Sequence, residues 1–299
     1  MVEKWSIPYP AYTGEEPRNV YVYLPDGADG RERFPVLYMF DGHNVFFDED
    51  ATYGTSWGLG AYLDETDTRM MVVAVECNHS PDNGRLSEYS PFTFEDPQLG
   101  HVTGRGRETM EWFTRELKPL IDRHYPTRPG RAHTFIAGSS MGGLMSLYAV
   151  LCYNQVFSRA AALSPSLWVA PKKLIQLVDE ADIAPGTVVY MDYGAKEMRS
   201  RRQSRRAIIS VSVRPPTTVA LLTRLIFAIS VSMRARQPSS CFNSSAGSSA
   251  GASPSCATAF AASRVFSRVI KRLASARSCN ASASFIAKPS LSFSANIIA

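Results

Sequence analysis

Residues 132–151 read AHTFIAGSSMGGLMSLYAVL, and this stretch decides the fold. The run AHTFIAG (132–138) is a short, mainly apolar segment of strand length. LMSLYAVL (144–151) is helical in pattern, and Gly142-Gly143 sit between the two. At the junction, Gly138-Ser139-Ser140-Met141-Gly142 matches G-x-S-x-G. With Gly near 7% of residues, chance produces that pattern roughly 0.1 times in a chain of this length. The strand before it and the helix after it make the match more specific. The spacing has a steric cause: a sharp strand-to-helix turn strains the central residue, and small flanking residues let the two backbones pass. Ser140 is therefore the candidate nucleophile, at the C-terminal edge of a strand and near the positive end of a helix dipole. The Met141 N–H becomes one candidate oxyanion donor.

Working outward, short strand-like runs alternate with helical ones. RNVYVYLP (18–25) alternates and ends at Pro25-Asp26-Gly27. FPVLYMF (34–40) and MMVVAVE (70–76) are continuous apolar runs, as expected of strands buried on both faces. SRAAALSP (158–165) and TVVYMDYG (187–194) supply two more. ETMEWFTRELKPLIDRHY (108–125) places Met110, Phe113, Leu117, Leu120 and Ile121 at helical spacing. Such alternation predicts an α/β fold, a mostly parallel sheet with helices on both faces. In MFDGHN (39–44), Gly42 permits a close backbone approach, and the His43 amide is the candidate second oxyanion donor. Arg85 and Glu88 could pair across the pocket or bind substrate, a surface salt bridge being the plainer account.

PVLYMFDGHNVF, RLSEYSPF, WFTRELKPLIDRHYPT, AGSSMGGLMSLYA, FSRAAALSPSLW and DYGAKE, in this order, resemble the esterase D/enterochelin-esterase-like family of α/β-hydrolases over residues ~15–198. The resemblance implies an ester hydrolase with Ser140 as nucleophile and the His43 and Met141 amides lining the oxyanion hole. Acyl transfer on the same scaffold is the alternative chemistry. The family places its acid just after a late strand, which nominates Glu197, with Asp192 as the competing carboxylate. No metal or other cofactor is implied, and the expected partner is a small-molecule ester. The family's chain order is Ser, then acid, then His. No His follows His133, so the general base is expected to be missing.

Composition changes near the same place. Residues 1–199 carry 27 acidic and 18 basic residues; residues 200–299 carry none and 14. Every Trp, Tyr and His lies in the first segment. An acid-free run of that length has odds of roughly 10⁻⁵ to 10⁻⁶ from ordinary composition. Two segments follow: a 1–199 esterase-like domain truncated before its last strand, and a 200–299 tail expected to be irregular or disordered. An out-of-frame translation beginning near residue 199 explains the tail most fully. A basic extension is the alternative, in which the Arg201, Arg202, Arg205 and Arg206 cluster anchors a non-catalytic binding protein to nucleic acid or membrane. No aromatic residues are interleaved for base stacking, so nucleic acid is not the expected partner. Cys77, Cys152, Cys241, Cys256 and Cys279 show no paired or metal-ligand spacing. The N-terminus lacks signal-peptide character, and TTVALLTRLIFAISV (217–231) is interrupted by Arg224. The expectation is a cytoplasmic protein that does not engage the membrane.

Overall fold

The computed structural model describes residues 1–9, 17–27 and 31–192. Seven strands form one sheet in the order β1-β2-β4-β3-β7-β8-β9. They span Val2–Ile7 (β1), Arg18–Tyr23 (β2), Val36–Phe40 (β3), Met71–Val75 (β4), Thr134–Ser139 (β7), Arg159–Leu163 (β8) and Val188–Asp192 (β9). Neighbours from β4 through β9 are parallel, whereas β1–β2 and β2–β4 pair antiparallel. A two-stranded antiparallel hairpin, β5 (Phe94–Asp96) with β6 (Gly100–Val102), stands apart from the main sheet. The expected mostly parallel α/β architecture is what the chain adopts. The six strand-like runs read from the sequence are β2, β3, β4, β7, β8 and β9. β1 and the hairpin went unread: β1 is a half-exposed edge strand, and β5 and β6 have three residues each, too few to show a period.

The central strands are buried on both faces, and their side chains divide between two apolar cores with a period of two. Val36, Tyr38 and Phe40 of β3 enter the larger core; Leu37 and Met39 enter the smaller. The larger core is closed by α3 (Gly106–Trp112), α4 (Lys118–His124), α5 (Met141–Cys152) and α6 (Pro171–Glu180), through Met110, Ile121, Leu144, Leu147 and Leu174. The smaller is closed by Leu59 and Leu63 of α1 (Leu59–Glu65) with Val45. A π-helical turn over Phe113–Leu117 joins α3 to α4. Pro119 explains it: the residue gives no N–H to the preceding turn and crowds its carbonyl, and the wider turn relieves both. Among the described residues no helix is long and apolar enough to cross a membrane. The residues after Asp192, where the sequence expects a missing last strand and an irregular tail, lie outside those described.

One ion pair is set inside the larger core. Arg18 of β2 faces Glu88, the last residue of α2 (Gly84–Glu88), at 3.6 Å, with side chains 4% and 1% exposed. Arg85 and Glu88 therefore do not pair with each other, and Glu88 is not on the surface. At that separation Arg18 Nη2 and Glu88 Oε2 make no hydrogen bond. Burial pushes the Glu88 carboxyl up to about 7, against the pull of Arg18. An unfolded Glu titrates near 4.3, so the folded state holds the extra proton between those two values. This contribution to stability is full below about pH 4.3 and is lost as pH rises through 7. Urea unfolding at about pH 5 and about pH 8 should show the parent chain losing on the order of 2 kcal/mol more than Glu88→Gln. Equal losses in the two proteins would contradict this assignment.

Candidate active site

Ser140 sits between β7 and α5 with φ 57° and ψ −114°. A non-glycine residue pays a steric cost at positive φ, so the surroundings must impose the conformation. Glycine makes that possible at two points. A Cβ on Gly138 would lie 2.6 Å from the Gly142 backbone, and one on Gly142 would lie 2.9 Å from Phe40 Cβ. The turn is then fastened by hydrogen bonds on both sides. Ser140 N donates to Leu163 O at the end of β8 (2.9 Å), and Ser166 N donates to Ser140 O (2.9 Å). The Ser140 and Ser166 hydroxyls meet at 3.1 Å. Met141 is the first residue of α5, where a helix N–H has no intrahelical acceptor.

The turn after β3 packs directly against this elbow. Asp41 has φ 58°, and Gly42–Asn44 form a short 3₁₀ turn. A Cβ on Gly42 would approach the Ala74 backbone to 2.7 Å, so the turn lies flat on β4. A Cβ on Gly142 would also come within 3.4 Å of Asp41 Oδ2, which places the β3 turn and the serine elbow in contact. Arg85 clamps Asp41 in a bidentate pair at 2.6 and 2.7 Å. Desolvation opposes the charge on Arg85, but Asp41 outweighs it and holds the guanidinium protonated. His43 is buried, and its Nε2 contacts Thr52 Oγ1 and Asn44 Nδ2, each at 3.0 Å. Burial lowers its pKa, with His79 adding to the effect.

Of the competing carboxylates, Asp192 ends β9 and is tied into the scaffold. Its Oδ1 accepts from Ser164 N (3.0 Å) and its Oδ2 from Tyr190 OH (3.2 Å). Glu197 lies outside the described residues. Of the five histidines, only His43 and His79 lie together. His133 precedes β7, at the opposite end of the strand from Ser140. His124 closes α4 with Nδ1 on Leu120 O (2.9 Å). His101 is an exposed hairpin residue paired with Glu95. His79 pairs with Glu76 and stacks edge-on against His43, with ring centroids 4.8 Å apart. Cys77 is no rival nucleophile, since burial raises its thiol pKa well above the ordinary range. Asn78, Ser80, Ser87, Glu88, Thr103 and Arg105 line part of an open polar cleft of about 290 Å³ beside α2.

Sequence reading located the elbow and the β3 turn but missed the Arg85–Asp41 clamp and the gathering of His43, Cys77 and His79. Arg85 and Asp41 are 44 positions apart, and no local pattern announces their pairing.

Comparison with known proteins is consistent with this geometry. The Esterase family model, described as "Putative esterase", matches residues 12–218. Its last part runs past the change in composition near residue 199. "Uncharacterized protein YbbA" of Bacillus subtilis (strain 168) is 25% identical over 197 residues, covering 64% of this chain and 74% of its own. Among solved structures, siderophore hydrolase EstA from Aspergillus nidulans has a TM-score of 0.53 at 16% identity, covering 78% of this chain and 83% of its own. The enterobactin esterase FES from Shigella flexneri has a TM-score of 0.51 at 17% identity, covering 71% of this chain and 49% of its own. At such identities the structural likeness shows a shared fold.

The close approach of Gly138 and Gly142 should be sensitive to a single methyl group. Gly138→Ala should destabilise the chain by about 1–3 kcal/mol in urea unfolding, because the contact is with rigid backbone. An unchanged midpoint would show that the elbow can relax around the methyl.

Proposed function

Because the chain belongs to the Esterase family, a hydrolase scaffold, we propose that its site is built to cleave small carboxylic esters through an acyl-enzyme on Ser140, and that this chain is impaired in that step for want of the histidine base. The observation that carries this reading is the strained backbone of Ser140 at the strand–helix junction. Strain of this kind persists only where the surroundings over-determine it. In the proposed reaction Ser140 Oγ attacks the ester carbonyl carbon and gives up its proton. The carbonyl oxygen becomes an oxyanion, held by the Met141 and His43 N–H groups. The contact between the elbow and the β3 turn supports that pairing of donors. The alcohol leaves with a proton, and water then releases the acid from Ser140.

Among the described residues no hydrogen bond joins the Ser140 hydroxyl to a basic side chain. It meets Ser166, itself a neutral hydroxyl. His133 lies one full strand length away at the far end of β7, roughly 17–20 Å for six residues. His43 is buried and bonded to Thr52 and Asn44. The acid in this reading is Glu197, and Asp192 instead fastens the Ser164 turn. The acid-free composition from residue 198 onward supports the further reading that a shifted reading frame removed the histidine loop. Sequencing the gene around codons 190–205 should then show that a one-base shift restores acidic residues and a later His. A frame that is open and unambiguous as it stands would contradict this.

A scaffold with binding and oxyanion donors but no base retains about 10³–10⁴ over water, and loss of the serine then costs little more. With p-nitrophenyl acetate, the chain and Ser140→Ala should turn over at similar low rates. Added imidazole can fill the space of an absent histidine and accept the Ser140 proton. It should accelerate the chain at least tenfold over Ser140→Ala. Strong Ser140-dependent turnover without imidazole would show that a resident base exists. Equal rates in imidazole would remove Ser140 from the chemistry.

A further inference from the structure

Beside the turn whose backbone carries the proposed His43 oxyanion donor, the chain gathers three side chains of metal-ligating type that its sequence spacing hides. His43 follows β3, while Cys77 and His79 follow β4, so the parallel pairing of these two strands brings residues 34 and 36 positions apart to one place. One donor atom from each of the three lies within 4.8 Å of the others. We propose that His43, Cys77 and His79 form a binding site for a zinc-class divalent cation, with an open fourth position. The inference rests on these side chains alone and does not depend on the role of Ser140.

Four features of the cluster support it. The donor set is one thiol and two imidazoles; the buried Cys77 thiol loses its proton to solvent as the ion binds, and a thiolate with two imidazoles suits Zn²⁺ and its chemical neighbours rather than Mg²⁺ or Ca²⁺. His43 is 4% exposed, yet its Nδ1 has no hydrogen-bond partner. An orphaned buried nitrogen costs on the order of 1–3 kcal/mol, and a ligand on that atom removes the cost. His79 Nε2 already contacts Glu76 Oε1 at 3.0 Å. With Nε2 held by a carboxylate, Nδ1 is the ring nitrogen left for an ion, and such a partner orients a metal-ligating histidine and fixes its tautomer. The side chain of His79 is 55% exposed, which gives an ion a path from solvent.

The geometry also states what must move. Ligands at 2.0–2.3 Å on a tetrahedral ion sit roughly 3.3–3.7 Å apart, so the three donors must draw in by about 1 Å. His79, the exposed member, is the one free to do so. His43 must carry its ring proton on Nε2 when Nδ1 takes the ion. Thr52 Oγ1, 3.0 Å away, can accept that proton. Asn44 cannot: its Oδ1 accepts from Thr52 N at 2.9 Å, so its Nδ2 is the atom turned to His43. Asn44 therefore favours the metal-free tautomer, and a carboxylate at that position would favour the metal-bound one.

The test is a titration of the full chain with Co²⁺, followed by its displacement with Zn²⁺. A thiolate-to-cobalt charge-transfer band should appear, saturate at one equivalent and disappear as Zn²⁺ is added. Cys77→Ser should lose the band, and His79→Gln, a change at an exposed position, should weaken Co²⁺ at least tenfold. Asn44→Asp should tighten it. Should Cys77→Ser misfold, His79→Gln and Asn44→Asp still decide the matter through their opposite shifts. A band retained in Cys77→Ser would place the thiolate elsewhere. Absence of a band in the parent chain, or affinity unchanged by both His79→Gln and Asn44→Asp, would overturn the site.

Discussion

The conformation of Ser140 depends on two backbones passing closer than side chains allow. Gly138 and Gly142 supply that approach, and a methyl on either would strike backbone or the Phe40 side chain within 3 Å. Once the crossing is made, the chain must leave β7 and enter α5 at once, with φ 57° at the residue between. Everything else at this end of the sheet is arranged against that crossing. Leu163 accepts the Ser140 N–H, Asp192 holds the Ser164 turn, and Phe40 with Asp41 closes the opposite side. α5 is buried from Met141 to Leu151, so the elbow cannot shift without disturbing the larger core.

Charge is handled in the same economical way around the site. Asp41 holds an unusual backbone angle, and the Arg85 clamp neutralises its buried carboxylate while fixing the turn that carries His43. Charge-assisted bidentate pairs of this kind add geometric precision as well as energy. Arg18 and Glu88 do the opposite. Their separation is too long for a hydrogen bond, and desolvation leaves the carboxyl titrating near neutrality. One pair organises the site, and the other makes the core behind it sensitive to pH.

Much of this was legible in the sequence where a local rule applies. Continuous apolar runs marked β3, β4 and β7 because strands buried on both faces carry no polar alternation. The Gly138–Gly142 pattern marked the elbow because sterics at that turn admit few residues. What stayed hidden is what the tertiary fold brings together. Arg85 and Glu88 are neighbours on one short helix but turn to different partners, Asp41 on the β3 turn and Arg18 on β2. His43, Cys77 and His79 meet only because β3 and β4 are parallel neighbours that end level. β1 escaped notice because its burial pattern is that of an edge, half polar and half covered.

The central claim is that the Ser140 hydroxyl is the acyl-accepting nucleophile of an incomplete hydrolase site. The most direct measurement is peptide-level mass spectrometry of the full chain after long incubation with an alkyl fluorophosphonate and imidazole. The account predicts a single phosphonylated peptide, modified at Ser140 and absent from Ser140→Ala. Modification at Ser166 or another residue with Ser140 left free, or no modification at all, would contradict it.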